Sequence, residues 1–112
     1  MIIATRNLSV QENGVRHPVQ VRLFAPEQDG DSWMCRYEID WPEVTRKSFA
    51  AGLDTIQALH LALQKIGIDI YMSKHHESGA LIWIDPDDGY GFPVPKNGRD
   101  FLIGSDKAFE GR

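Results

Sequence analysis

Apolar and polar positions alternate along the first half of the chain. Over residues 2–11, Ile2, Ala4, Leu8 and Val10 share one parity, and Arg6 interrupts them. A period of two predicts a strand with one covered face. Asn13-Gly14 follows, a pair that fits a two-residue hairpin turn because both central residues of a type I′ turn need positive φ. Residues 18–25 form the return strand, with Val19, Val21, Leu23 and Ala25 inward, Gln20 and Arg22 outward, and Phe24 on the outward parity. After an Asp29-Gly30-Asp31 loop, residues 33–41 alternate cleanly. Trp33, Cys35, Tyr37, Ile39 and Trp41 take one face; Met34, Arg36, Glu38 and Asp40 take the other. Pro42 breaks this run, and residues 44–51 are expected to return as a fourth strand.

At Gly52 the period changes. Asp54 can accept from the backbone N–H groups of a first helical turn, and Gln57 stands three residues on, where a capping-box partner belongs. Ile56, Leu59, Leu63, Ile66 and Ile70 are spaced 3, 4, 3 and 4 apart, an apolar stripe that predicts a helix. Ala58 and Ala62 permit close approach to a sheet. Gly67 disfavours a helix by about 1 kcal/mol relative to Ala. The stripe carries the helix to about Ser73, with Gly67 as the alternative end. Residues 80–84 read as a buried strand. Residues 85–100 read as a Gly/Pro/Asp-rich loop anchored by Tyr90, Phe92 and Val94, and residues 101–103 as a short last strand. The expected architecture is α+β and one domain over residues 1–112: an antiparallel sheet of four to five strands, one long helix packed on one face, and the other face open.

The segment Ala51-Gly52-Leu53-Asp54-Thr55-Ile56-Gln57-Ala58-Leu59-His60-Leu61-Ala62-Leu63 resembles the Gly-x-Asp-x-x-Gln-Ala-Leu-x-x-Ala-Leu stretch of a family of small uncharacterised bacterial proteins. Ile3-Ala4-Thr5-Arg6 and Gly91-Phe92-Pro93 are similar to that family too. The resemblance implies no established activity. Small acidic members of the family look like the immunity proteins that accompany bacterial toxins, a similarity of size and charge.

The formal charge of −4 sets an acidic chain against phosphate backbones, so nucleic acid is not an expected partner. Residues 54–112 carry nine acidic and six basic side chains, and three of the nine are Asp85, Asp87 and Asp88. Cys35 is the only cysteine, which excludes an internal disulfide. The chain opens without a secretory leader pattern, and no apolar run approaches the roughly 20 residues of a membrane span. A cytoplasmic protein that does not meet membranes is expected. Asn7-Leu8-Ser9 fits a glycosylation sequon that has no role without secretion.

Candidate chemistry is sparse. His75-His76-Glu77 is the most metal-like cluster, but adjacent histidines on an extended chain point apart, so it reads as a solvated loop and no metal is expected. Asp85-Pro86-Asp87-Asp88-Gly89 fails the calcium-loop pattern, which would need Asp or Asn where Gly89 stands, Gly where Tyr90 stands and Glu where Lys96 stands. Gly89-Tyr90-Gly91 begins a dinucleotide fingerprint that Val94 does not complete. No nucleophile elbow is present. Cys35 shares its parity with large apolar residues and reads as an inert core thiol. His60 lacks a histidine one turn on, since residue 64 is Gln, and His17 is a turn residue before Pro18. No cofactor and no enzymatic activity are expected.

These residues point instead to a protein-binding module, most concretely an immunity protein that neutralises a cognate toxin. A nuclease toxin holds phosphate in a basic site, and an acidic loop can cover such a site with electrostatic steering of the encounter. Asp85, Asp87 and Asp88 would meet the basic cleft, and Tyr90 and Phe92 would anchor in its rim. The alternative is a regulatory or structural interaction domain that uses the open sheet face for a partner or a second copy. Arg22, Phe24, Met34, Arg36 and Glu38 would carry that contact.

Overall fold

The computed structural model describes residues 1–95 and 102–106. Strands β1 (Ile2–Glu12) and β2 (Val15–Phe24) form the first hairpin. Asn13 and Gly14 both adopt positive φ at its tip, 51° and 75°, as the turn type demands. A short β3 (Glu27–Asp29) turns into β4 (Ser32–Asp40), and β5 (Thr45–Gly52) lies antiparallel along the whole of β4. Next come helix α1 (Thr55–Tyr71), the one-turn helix α2 (Lys74–Glu77) and a two-residue β6 (Leu81–Ile82) that pairs with β1. The six strands make one antiparallel sheet ordered β3-β4-β2-β1-β6, with β5 on the other side of β4.

The fold is therefore α+β with one main helix on the sheet. Two expected strands shrink or vanish. Residues 80–84 pair only at Leu81–Ile82. Residues 102–103 are not strand, residue 101 lies outside the described residues, and a helical turn occupies 104–106. Of the expected loop, residues 96–100 also lie outside the described residues.

The cap of α1 forms as its sequence predicts. Asp54 accepts from Gln57 N at 2.8 Å, and the Gln57 side chain accepts from Leu53 N at 2.7 Å. The buried face of α1 is Ala58, Ala62, Ile66, Gly67, Ile70 and Tyr71, so the helix is rotated from the stripe of large residues. Ile56 is 75% exposed, and Leu59 and Leu63 are only partly buried. Small residues win the sheet face because the backbones come so close. A Cβ at Gly52 would stand 2.5 Å from Ala58 N. The same constraint settles the helix end. Gly67 is buried beneath the 92–94 segment, where a Cβ would stand 2.5 Å from Pro93 O, and the helix runs through it to Tyr71.

The core lies between the sheet and α1. Leu8, Val10, Val19, Val21, Leu23, Cys35, Tyr37, Ile39 and Trp41 supply its sheet side. Cys35 is fully buried, donates to Phe24 O at 3.3 Å, and has its thiol pKa raised by burial, which keeps it an unreactive thiol. Tyr37 donates to the Asp69 carboxylate on α1, which also receives Arg46 Nε at 2.8 Å. This pins the helix across β4 and β5.

Candidate functional site

After β6 the chain crosses the β1 side of the sheet and turns through Asp85–Asp88. Asp87 takes φ 61°. Asp85 and Asp87 are exposed and Asp88 is half-buried. Asp88 is already occupied: its carboxylate accepts from Ser105 N at 2.9 Å and from Ser105 Oγ at 3.0 and 2.9 Å. Beneath it lies Asp106, only 5% exposed, which accepts from Tyr71 Oη at 2.6 Å and from the backbone N–H of Tyr90 and Gly91 at 2.8 Å each. Gly89 permits this, since a Cβ there would lie 2.5 Å from the Asp106 carboxyl carbon. The turn is thus a pair of exposed carboxylates on a rigid base stitched by two engaged ones.

A cleft of about 380 Å³ opens beside the turn. Trp83, Ile84, Asp85, Asp88, Phe92 and Asp106 contribute to its lining. Ile84 is 69% exposed, which puts an apolar side chain next to the acidic ones.

Tyr90 and Phe92 are not at the rim. They are 4% and 6% exposed and belong to the core, which corrects the expectation that their rings anchor a partner. Their sequence role as anchors of the loop itself is what the structure uses. Tyr90 Oη lies 2.6 Å from His76 Nδ1, and its ring meets Tyr71 edge-on. Burial, then the charges of Asp106 and Asp87, push the Tyr90 hydroxyl up to about 12. Phe92 packs beneath the Arg6 guanidinium, 4.7 Å away. The cleft residues Trp83 and Ile84, the latter exposed, were passed over because a run of Ala-Leu-Ile-Trp-Ile reads as buried strand.

The histidine pair is not a solvated loop. His75 is 5% exposed, stacks on Trp41 at 5.3 Å and lies 2.8 Å from Glu43 Oε1. His76 turns instead to Tyr90 and Tyr71, and burial lowers its pKa against the opposing charges of Glu77 and Asp87. The two rings serve separate elements.

The open sheet face assembles Arg22, Phe24, Met34, Arg36 and Glu38. Arg22 stands opposite Glu38 in the β2–β4 register, bridges it at 3.0 Å and reaches Asp40 at 3.8 Å. Arg36 bridges Glu27 at 2.8 Å and lies 5.7 Å from the Phe24 ring. Across β5, Phe49 stands opposite Arg36 and is 49% exposed. The Arg36–Glu27 pair is exposed and contributes about 0–1 kcal/mol, whereas Arg22 and Glu38 are largely covered.

Asp106 is absent from the expected sites, and Arg6 stands outside the expected contact surfaces. Asp106 gives no local sequence signal, because its donors come from residues far along the chain. Arg6 does give one, as the sole charge on the apolar parity of β1.

Among the described residues no helix is long and apolar enough to cross a membrane. No curated protein and no solved structure matches the chain. Residues 4–94 match the model of a family described as a domain of unknown function (DUF6968), and the chain belongs to that family.

Proposed function

We propose that this chain is a non-enzymatic protein-binding module that docks a basic partner surface through its acidic turn, in its most concrete form a cytoplasmic immunity protein against a bacterial toxin. The observation that carries this reading is the combination at the cleft: Asp85 and Asp87 exposed and without a partner among the described residues, beside exposed Ile84 and the wall of Trp83. A basic patch that meets this turn gains two carboxylates already held in place, and Ile84 supplies apolar area that desolvates at the same step. The net charge of −4 favours the encounter at long range. A basic nuclease toxin has the matching chemistry. The lone thiol of Cys35 suits a reducing compartment.

The test uses the partner co-purified from native cells. Asp85→Asn with Asp87→Asn should slow association at low salt and flatten its salt dependence, because exposed rim charges act mainly on encounter. Ile84→Ala should instead speed dissociation. Asp88 is left intact, since it holds Ser105. Unchanged rates in both variants would reject the turn as the interface.

A second reading uses the open sheet face, for a regulatory partner or a second copy. Exposed Phe49 beside Arg36, Phe24 and Met34 favours it. Phe49→Ala with Arg36→Ala would then abolish binding or dimerisation while the acidic-turn variant left it intact.

A further inference from the structure

Arg6 lies on the helix-covered side of β1, in register with Val21. Its guanidinium sits over the Trp83 ring at 4.1 Å and over the Phe92 ring at 4.7 Å. One N–H, on Nη1, is donated to Tyr90 O at 3.0 Å. Among the described residues no carboxylate makes an ion pair with it. Burial is the largest influence on this group and lowers its pKa, with the more distant charge of Asp106 working the other way. A guanidinium carries five donors in a rigid fork. Every fully buried side-chain nitrogen or oxygen among the described residues has a partner, so the donors that Arg6 leaves free face solvent.

Arg6 also lines a pocket. A cavity of about 190 Å³ lies between β1, β2, α1 and the 91–93 segment, with Arg6 in its wall and Ala4, Leu23, Leu63, Phe92 and Pro93 around it. Apart from the guanidinium and Thr5, the lining side chains are apolar. A half-desolvated cation in an apolar pocket is the complement of an anion with a hydrocarbon body.

We propose that this pocket binds a small apolar carboxylate, with Arg6 holding the carboxylate and Leu23, Leu63 and Phe92 receiving the hydrocarbon. A planar carboxylate matches the guanidinium edge through two parallel N–H···O bonds. A dianionic phosphate fits less well, because one cation does not offset the hydration it would lose against apolar walls. The volume lies below the roughly 300–1,000 Å³ of sites for drug-sized ligands, so the ligand is a short acid. This cavity shares Gly91 and Phe92 with the cleft beside the acidic turn but none of its carboxylates, and the proposal does not rest on that turn.

The test is a titration of the ¹⁵N-labelled full chain with hexanoate, hexanamide and hexylamine, read by amide shifts. Hexanoate should bind saturably, at roughly millimolar affinity, with the shifts centred on Arg6, Leu63 and Phe92. Hexanamide should bind about tenfold more weakly or less, and hexylamine should leave those amides unmoved. Arg6→Gln should remove the preference for the acid over the amide. Leu63→Trp, which fills the pocket and keeps Arg6, should abolish hexanoate binding. If Arg6→Gln does not fold, the acid–amide comparison on the natural chain and Leu63→Trp decide the matter. Equal binding of acid and amide, shifts centred elsewhere, or full hexanoate binding by Leu63→Trp would overturn the proposal.

Discussion

Tyr71 donates its hydroxyl to Asp106 at 2.6 Å, which ties the last turn of α1 to a carboxylate 35 residues further along the chain. The same carboxylate receives Tyr90 N and Gly91 N, so three donors converge on one buried group. Burying that charge is tolerable only because it is fully hydrogen-bonded. Asp106→Ala should therefore destabilise the protein by about 2–4 kcal/mol, since it leaves three donors unpaired. Tyr71→Phe should cost about 1 kcal/mol, and the double variant should fall short of the sum. Urea unfolding of the three variants measures this. Strict additivity would show that the two residues do not act together.

Gly67 gives a prediction whose sign runs against helix propensity. Gly67→Ala should gain about 1 kcal/mol from propensity in an open helix. Here the new Cβ would meet Pro93 O at 2.5 Å, and that neighbour is backbone. A net loss of about 1–3 kcal/mol is expected from overpacking. A variant with a raised Tm would mean that the 92–94 segment yields without cost.

The rotation of α1 separates residues that the stripe had grouped. Ile66→Ala should cost about 2–5 kcal/mol, because Ile66 is fully buried between helix and sheet. Leu63→Ala should cost less, since Leu63 is only partly buried. Ile56→Ala should stay within about 0.5 kcal/mol. Chemical denaturation of the three variants would contradict the observed rotation if Ile56 proved as costly as Ile66.

Alkaline stability should follow three buried tyrosines, of which Tyr71 is raised furthest, by burial first and then by its hydrogen bond to Asp106 and that group's charge. Burial first, then hydrogen bonding and charge from Asp69, pushes the Tyr37 hydroxyl from 10 up to about 12. Tyr90 is pushed up to about 12 as well, by burial first. A pKa raised on folding contributes stability that is fully present below the unfolded value and is lost as pH rises through the folded one. Stability should therefore be flat up to about pH 10 and fall steadily above it. Tyrosinate absorbance should show Tyr37 and Tyr90 titrating with unfolding. Titration of all three tyrosines near 10 in the folded protein would count against their burial.

The acid limb has the opposite sign. Burial lowers the His76 pKa below 6.5, with Glu77 and Asp87 opposing, so the unfolded chain takes up the proton first. Stability should decline as pH falls below about 6.5, and His76→Phe should reduce that slope. An unchanged slope would assign the acid sensitivity to other groups.

Local signals determined much of this protein. Asn13-Gly14 fixes the first hairpin because its backbone angles are rare elsewhere. The alternation of residues 33–41 fixes which face of β4 is buried, because the pleat has a period of two. Asp54 and Gln57 fix the start of α1, because capping bonds span only three or four residues. The acidic turn and the charged sheet face were likewise visible as side chains of stated chemistry on stated parities. What stayed hidden was every property that depends on a distant segment. Gly67 stood as an alternative helix end, and only the crossing of Pro93 shows why a glycine sits inside the helix. Ile56 looked like core until Ala58 and Gly52 drew the backbones together and turned it outward. Tyr90 and Phe92 looked like a surface pair, and they are buried in a segment whose Tyr90 and Gly91 N–H groups are held by Asp106, invisible locally. Arg6 looked like an exception in a strand, and only the return of Trp83 and Phe92 over β1 makes it the wall of a pocket. Periodicity and capping are written within a few residues, whereas burial and hydrogen-bond partners are set by which remote segments the fold brings together.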